Sequence, residues 1–111
     1  MKLVTFEVTT PVGKFERIGA LREGVIVDLN MAYTRMLADQ GEAQPYRLAA
    51  AEVPSPMLEF LQGEVSAMNS ARDAFHYISE KDHSVQGPDG ETIGYAMDAV
   101  TLLAPVPHPP L

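Results

Sequence analysis

The sequence predicts an α+β fold in which a small antiparallel meander sheet is covered by two to three helices. Two observations lead to this prediction. Residues 3–29 contain three short segments with the period-two alternation of strands, separated by tight reversals. Beyond Asn30 the apolar spacing changes to that of helices. A meander of this size leaves one face that needs cover, and the helices supply that cover.

Two short turns join the three predicted strands. In the first strand Val4, Phe6 and Val8 alternate with polar residues. Residues 9–13 contain a proline and a glycine that suit a turn, and residues 22–24 form the second reversal. Connections this short force neighbouring strands to be antiparallel. Apolar residues share one face of the second and third strands: Ile18, Ala20, Val25, Val27 and Leu29.

The first predicted helix covers residues 30–40. Asp28 or Asn30 can serve as its N-cap, because their side-chain oxygens suit the free amides of a first turn. Gly41 is a plausible terminator. Residues 42–51 show no clear periodicity, and we expect Pro45 to break a helix there.

Two more helices are predicted further along the chain. The shorter one has Ser55 as its N-cap, Pro56 as its first helical residue and Gly63 at its end, with apolar residues packed inward at Met57, Leu58 and Leu61. The longest helix runs over residues 64–79. Its apolar stripe consists of Ala67, Ala71, Ala74, Phe75 and Ile78.

The C-terminal part predicts a loop, a strand and a linker. Residues 81–94 are polar, and we expect a mobile loop or a weak hairpin between Val85 and Ile93. Residues 100–104 form a short apolar run typical of a buried strand. The proline-rich residues 105–111 are typical of an interdomain linker. We therefore expect one small domain at residues 1–104 and a linker at residues 105–111.

Charge and composition exclude several classes of function. The net charge of −7 and the scattered basic residues argue against nucleic acid and anionic membranes as partners. The absence of cysteine excludes disulfides, thiolate nucleophiles and cysteine-based zinc sites. No apolar run reaches the roughly 18 residues that span a bilayer. These features predict a cytoplasmic protein.

No candidate for catalysis or metal binding has the partners that the chemistry requires. His76 lies on the longest predicted helix without convergent ligands, and we expect a surface histidine. His83 precedes a turn, and His108 lies among prolines. The dipeptide Gly13-Lys14 lacks the rest of a phosphate loop, and residues 82–84 (Asp-His-Ser) are adjacent and cannot converge as a triad.

The tyrosines and one arginine are read as structural. We expect core-edge positions for the tyrosines, which are Tyr33, Tyr46, Tyr77 and Tyr95. Arg17 alternates with apolar neighbours and is either a solvated strand residue or an interdomain ion-pair donor. We therefore assign no catalytic, cofactor-binding or metal-binding residue to this chain.

Several motifs taken together resemble the N-terminal domain of the fumarylacetoacetate hydrolase family. They are M-K-L-V-T-F at residues 1–6, R-I-G-A-L at 17–21, G-V-I-V-D-L-N at 24–30, P-M-L-E-F-L-Q-G at 56–63 and V-T-L-L-A-P-V-P at 100–107. Their order and spacing cover nearly the whole chain, and the combination is fairly specific.

The resemblance implies a parent enzyme with a second, larger, β-rich catalytic domain after Pro110. In that family the second domain holds a divalent metal (magnesium, manganese or calcium) and a histidine for proton transfer. The implied substrates are dioxo acids or acylpyruvates from aromatic or oxo-acid catabolism. The implied reactions are metal-assisted carbon–carbon hydrolysis, decarboxylation or tautomerisation.

None of these catalytic positions matches a residue of this sequence. The resemblance therefore implies an accessory domain that is inactive alone, either a fragment or the product of a split gene. Its expected partners are its own catalytic domain and, in a homodimer, a second copy. The alternative is a free-standing interaction module that uses the sheet edge or the proline-rich residues 105–111.

Overall fold

The computed structural model describes residues 2–81 and 84–103. The α+β fold predicted from the sequence is confirmed. The strands are β1 (Leu3–Thr10), β2 (Gly13–Arg22), β3 (Val25–Asp28), β4 (Gly94–Ala96) and β5 (Thr101–Leu102). The helices are α1 (Leu29–Asp39), α2 (Pro45–Glu52), α3 (Met57–Gln62) and α4 (Glu64–Ser79). The predicted linker at residues 105–111 lies outside the described residues.

The five strands form one antiparallel sheet that is curled. The strand order is β4-β3-β2-β1-β5, so β4 and β5 lie at opposite edges. A flat sheet of five strands would place these edges about 19 Å apart. The five Cα–Cα steps from Ala96 to Thr101 reach at most about 18 Å when fully extended, and a 3-10 turn at Met97–Ala99 shortens them. The sheet therefore has to curl to bring its two edges together.

The two faces of the curled sheet are buried in different ways. Ile18, Ala20 and Val27 join the main core with the helices. Phe6 and Ile26 are also fully buried, although they lie outside that core cluster. They line the inside of the curl, where the Tyr95 ring lies 5.4 Å from the Phe6 ring. The meander thus has buried residues on both faces, and the main helical core covers one of these faces.

Gly19 permits the close packing inside the curl. A methyl group at this position would lie 2.6 Å from Ile26 Cγ2 and 2.9 Å from Phe6 Cε1. Both distances are well below van der Waals contact, so the glycine is required by space. Its backbone has no left-handed φ angle.

Helices α1 and α4 agree with their sequence patterns. Asp28 is the N-cap of α1 and accepts a hydrogen bond of 3.0 Å from the Met31 amide. The predicted stripe of α4 is buried at Ala67, Ala71, Ala74 and Ile78, and Phe75 packs against it. Arg22 donates a 2.7 Å hydrogen bond to the Ser79 carbonyl and so ties β2 to the C-terminus of α4.

The predictions around α2 and α3 were partly wrong. Pro45 begins α2 instead of breaking it, because a proline in the first turn loses no helical hydrogen bond. In α3 the N-cap is Pro56, and Ser55 forms no cap. Phe60 is buried with Met57, whereas Leu58 and Leu61 are exposed. Gly63 ends α3 as predicted.

The C-terminal strands also differ from the prediction. The strand expected at residues 100–104 is β5, which has only two residues, and both are exposed. Strand β4 was not predicted at all. Between Val85 and Ile93 a single bridge joins Gln86 to Thr92, as expected for a weak hairpin.

A buried hydroxyl in β1 gives the first testable prediction. Thr5 is 5% exposed, and its Oγ1 has no hydrogen-bond partner among the described residues. We expect Thr5→Val to raise the free energy of unfolding by about 1 kcal/mol, because valine has nearly the same shape and removes an unpaired polar atom. Urea denaturation measures this change.

The exposed Thr9 of the same strand provides the control. Thr9→Val removes a hydroxyl that water can reach, and we expect a change below about 0.5 kcal/mol. A Thr5→Val variant that is less stable than the wild type would contradict the assignment of an unpaired hydroxyl.

Candidate functional site

A buried ion pair connects β2 to the end of β3. Arg17 Nε lies 2.9 Å from Asp28 Oδ2, and Arg17 Nη2 lies 3.1 Å from Asp28 Oδ1. The Asp28 side chain is 3% exposed and the Arg17 side chain 23% exposed. The pair is bidentate, which is the strongest geometry for an arginine and a carboxylate.

The register of the sheet explains this pairing. Gly19 lies opposite Asp28 in the β2–β3 ladder. Arg17 lies two residues before Gly19 in β2, so its side chain is on the same face of the sheet as that of Asp28. Arg17 Nη2 also donates to Asn30 Oδ1 at 3.1 Å, and Asn30 Nδ2 donates to the Val53 carbonyl at 2.9 Å. The network therefore joins the sheet to α1 and to the residue that ends α2.

The electrostatics of Asp28 indicate a structural role. Burial raises the pKa of the Asp28 carboxyl, while the Arg17 guanidinium and the Met31 amide act in the opposite direction. Both carboxylate oxygens already accept hydrogen bonds within the protein. Asp28 is thus held by groups that stabilise the fold.

An open cleft of about 200 Å³ lies beside this ion pair. We call it the ribbon cleft, because one wall is the projecting β1–β2 hairpin. Its lining includes Val8, Phe15, Arg17, Met31, Glu91 and Tyr95. Apolar walls with a few polar groups are typical of small-molecule sites.

Glu91 holds its position at the ribbon cleft through two hydrogen bonds. Its Oε1 accepts from the Asp89 amide at 2.9 Å, and its Oε2 accepts from the Tyr46 hydroxyl. Burial raises the pKa of Glu91, but these hydrogen bonds outweigh burial and keep the pKa below its ordinary value. Glu91 is therefore ionised at neutral pH.

A second surface feature lies on α3 and α4. Leu58, Leu61 and Val65 are 60%, 46% and 71% exposed, and we call these three residues the α3–α4 patch. A shallow depression of about 480 Å³ adjoins the patch. Glu59 and Glu64 lie between these apolar residues in the sequence, and both are exposed. Contiguous exposed apolar side chains with a polar border are typical of protein contact surfaces.

The structure places the histidines and the short motifs as follows. His76 is exposed on α4, which confirms the predicted surface histidine. Asp82, His83 and His108 lie outside the described residues. Gly13 and Lys14 follow the turn of the β1–β2 hairpin and begin β2, so they form no phosphate loop. In the part of the chain that the structure describes, no three His, Asp or Glu side chains are grouped to hold a metal ion.

The tyrosines and Arg17 have partners within the domain. Tyr33 is buried and donates to Glu52, and Tyr77 donates to Asp39, as suits residues at the core edge. Tyr46 is exposed, contrary to the prediction. Arg17 forms an ion pair with Asp28 of the same sheet, an arrangement that neither of the two predicted alternatives included.

Comparisons with known proteins identify no relative of this chain. No family model matches the chain, and no curated protein or solved structure is significantly similar to it. Over residues 2–81 and 84–103, none of the helices is both long enough and apolar enough to cross a membrane. The resemblance to the fumarylacetoacetate hydrolase family thus stays a prediction.

Proposed function

We propose that this chain is the N-terminal accessory domain of a fumarylacetoacetate hydrolase family enzyme. The parent enzyme acts on dioxo acids or acylpyruvates, and this domain is not catalytic alone. The observation that supports the proposal best is the α3–α4 patch. Its exposed leucines and valine form a surface suited to packing on another domain.

The charged groups of the domain support the same proposal. Arg17, Asp28 and Asn30 satisfy one another inside the fold, and this network fixes the sheet against α1. Such a network stabilises the domain as a rigid support for a second domain. In the parent enzyme the divalent metal (magnesium, manganese or calcium) and its acidic ligands belong to the catalytic domain.

The glutamates beside the apolar residues of the α3–α4 patch favour one kind of partner. Glu59 and Glu64 would oppose their own copies in a symmetric contact between two such patches. A catalytic domain that presents apolar side chains flanked by lysine or arginine fits this surface better.

An activity assay tests the proposal. Residues 1–111 are incubated with an acylpyruvate and either magnesium or manganese, and we expect no turnover above the metal-only reaction. Robust hydrolysis by this chain alone would refute the accessory role. Reading the coding sequence past Leu111 provides the second measurement, and we expect an open frame into an acidic domain that contains histidine.

The alternative is a free-standing interaction module. It shares the α3–α4 patch as a contact surface but requires no catalytic domain. A stop codon directly after Leu111 in the coding sequence would favour this alternative over the accessory domain.

A further inference from the structure

The ribbon cleft combines aromatic walls with an excess of negative charge. Among the described residues, three charged side chains line it: Arg17, Asp28 and Glu91. The charges of Arg17 and Asp28 offset each other at 2.9 Å. Glu91 forms no ion pair with any lysine or arginine of the described chain. The charged lining therefore carries one uncompensated carboxylate.

The surroundings of Glu91 strengthen this negative charge. The Tyr46 hydroxyl lies beside both Glu91 and Asp89, and burial together with these two carboxylates raises the pKa of Tyr46. A second carboxylate thus lies close to the rim of the cleft. The whole chain carries a net charge of −7, which attracts cations and repels anions over a longer range.

The apolar walls of the ribbon cleft favour a ligand that also has an apolar part. Phe15 is 48% exposed and lines the cleft together with the half-buried Tyr95, and Val8 and Met31 complete an apolar surface. Aromatic faces attract a cation and pack well against a hydrocarbon stem. The cleft volume of about 200 Å³ corresponds to roughly six to seven water molecules, because each water occupies about 30 Å³ in the liquid. A stem of five carbons with one polar head fits this space.

We propose that the ribbon cleft binds an alkylammonium group, a primary ammonium on an apolar stem, with Glu91 as its carboxylate acceptor. The stem lies between Phe15 and Tyr95, and the ammonium donates to a lone pair of Glu91 that Tyr46 and Asp89 leave free. The shared chemistry occurs in a free aliphatic amine and in a lysine side chain. This site does not depend on the accessory-domain role.

A titration followed by amide NMR tests this proposal on the full 111-residue chain. The probe is n-pentylammonium chloride at constant ionic strength. Pentanol has the same stem without charge, pentanoate has the opposite charge, and ammonium chloride has the charge without a stem. We expect saturable shifts in residues 8–17 and 91–95 with pentylammonium, and binding at least about tenfold weaker for each of the other probes.

Two substitutions assign the binding groups. Glu91→Gln keeps an acceptor for Tyr46 but removes the charge, and we expect pentylammonium to bind about tenfold more weakly. Phe15→Ala removes one wall and should weaken binding by a similar factor. Glu59→Gln, which removes an exposed carboxylate from α3, is the matched control and should leave the affinity unchanged.

The outcomes separate the possibilities. Equal or tighter binding of pentanoate would overturn the proposal in favour of an anion site at Arg17. Equal shifts with ammonium chloride, unsaturable shifts, or an unchanged affinity in Glu91→Gln would also overturn it. Nα-acetyl-lysine methylamide distinguishes the two sources, because affinity equal to that of pentylammonium supports a lysine side chain and much weaker binding supports a free amine.

Discussion

Replacing Arg17 by methionine is expected to lower the free energy of unfolding by about 3 kcal/mol at neutral pH. The substitution leaves the Asp28 carboxyl buried, with its side chain only 3% exposed and its main hydrogen-bond donor removed. Methionine keeps the length of the aliphatic stem, so the loss reports on the charge pair more than on packing. Urea denaturation at pH 7 measures the change.

The same variant has a predictable pH dependence. Burial already raises the folded-state pKa of Asp28, and loss of the guanidinium raises it further. The pKa of this carboxyl is about 4 in the unfolded state and higher in the folded state. The free energy of unfolding therefore falls as the pH rises above about 4. The deficit of Arg17→Met should therefore be largest at pH 7 and shrink as the pH falls towards 4.

Two further variants control for the charge effect. Arg17→Met with Asp28→Asn removes both charges, and asparagine still caps α1, so this double variant should recover a large part of the loss. Arg35→Met breaks an ion pair between Arg35 and Asp39, whose side chains are 30% and 33% exposed, together with a hydrogen bond from Arg35 to the Gln86 carbonyl, and should cost about 1 kcal/mol. Equal losses for Arg17→Met and Arg35→Met would contradict a buried, costly charge at Asp28.

The ion pair itself follows from the sequence once the turn is placed. The reversal at residues 22–24 pairs Arg22 with Val25, and counting back along both strands brings Gly19 opposite Asp28. Arg17 then lies diagonally across from Asp28 on the same face. The period-two pattern therefore places Arg17 and Asp28 on one face. The prediction used this pattern only for apolar residues, and Arg17 was expected to contact solvent or another domain.

The curl of the sheet could not be predicted in the same way. Strand β4 has three residues and β5 has two, which is too short for a period-two signal. Residues 100–104 were expected to form a buried strand because they are apolar, yet Thr101 and Leu102 lie exposed at an edge. The constraint that bends the sheet is the short connection between two distant edges, and only the topology reveals it.

The ribbon cleft also could not be predicted from local sequence patterns. Phe15 and Arg17 come from the second strand, whereas Glu91 and Tyr95 come from the end of the chain. Residues 87–90 have the composition of a turn, which is consistent with Gly90 at a φ of +88°. Their second role, which places Glu91 beside aromatic walls, depends on β4 pairing with β3.

Phe6→Ala is expected to lower the free energy of unfolding by about 3–5 kcal/mol. Phe6 is fully buried inside the curl and packs against Tyr95 and the backbone of Gly19. Phe15→Ala is the matched control, because Phe15 lies on the same face of the same hairpin but is 48% exposed, and it should cost about 1 kcal/mol or less. An open sheet would leave both rings on a solvated face, so equal and small losses in urea denaturation would disprove the curl. A large loss for Phe6 alone requires the edges of the sheet to close over it, which is the geometry that also creates the ribbon cleft.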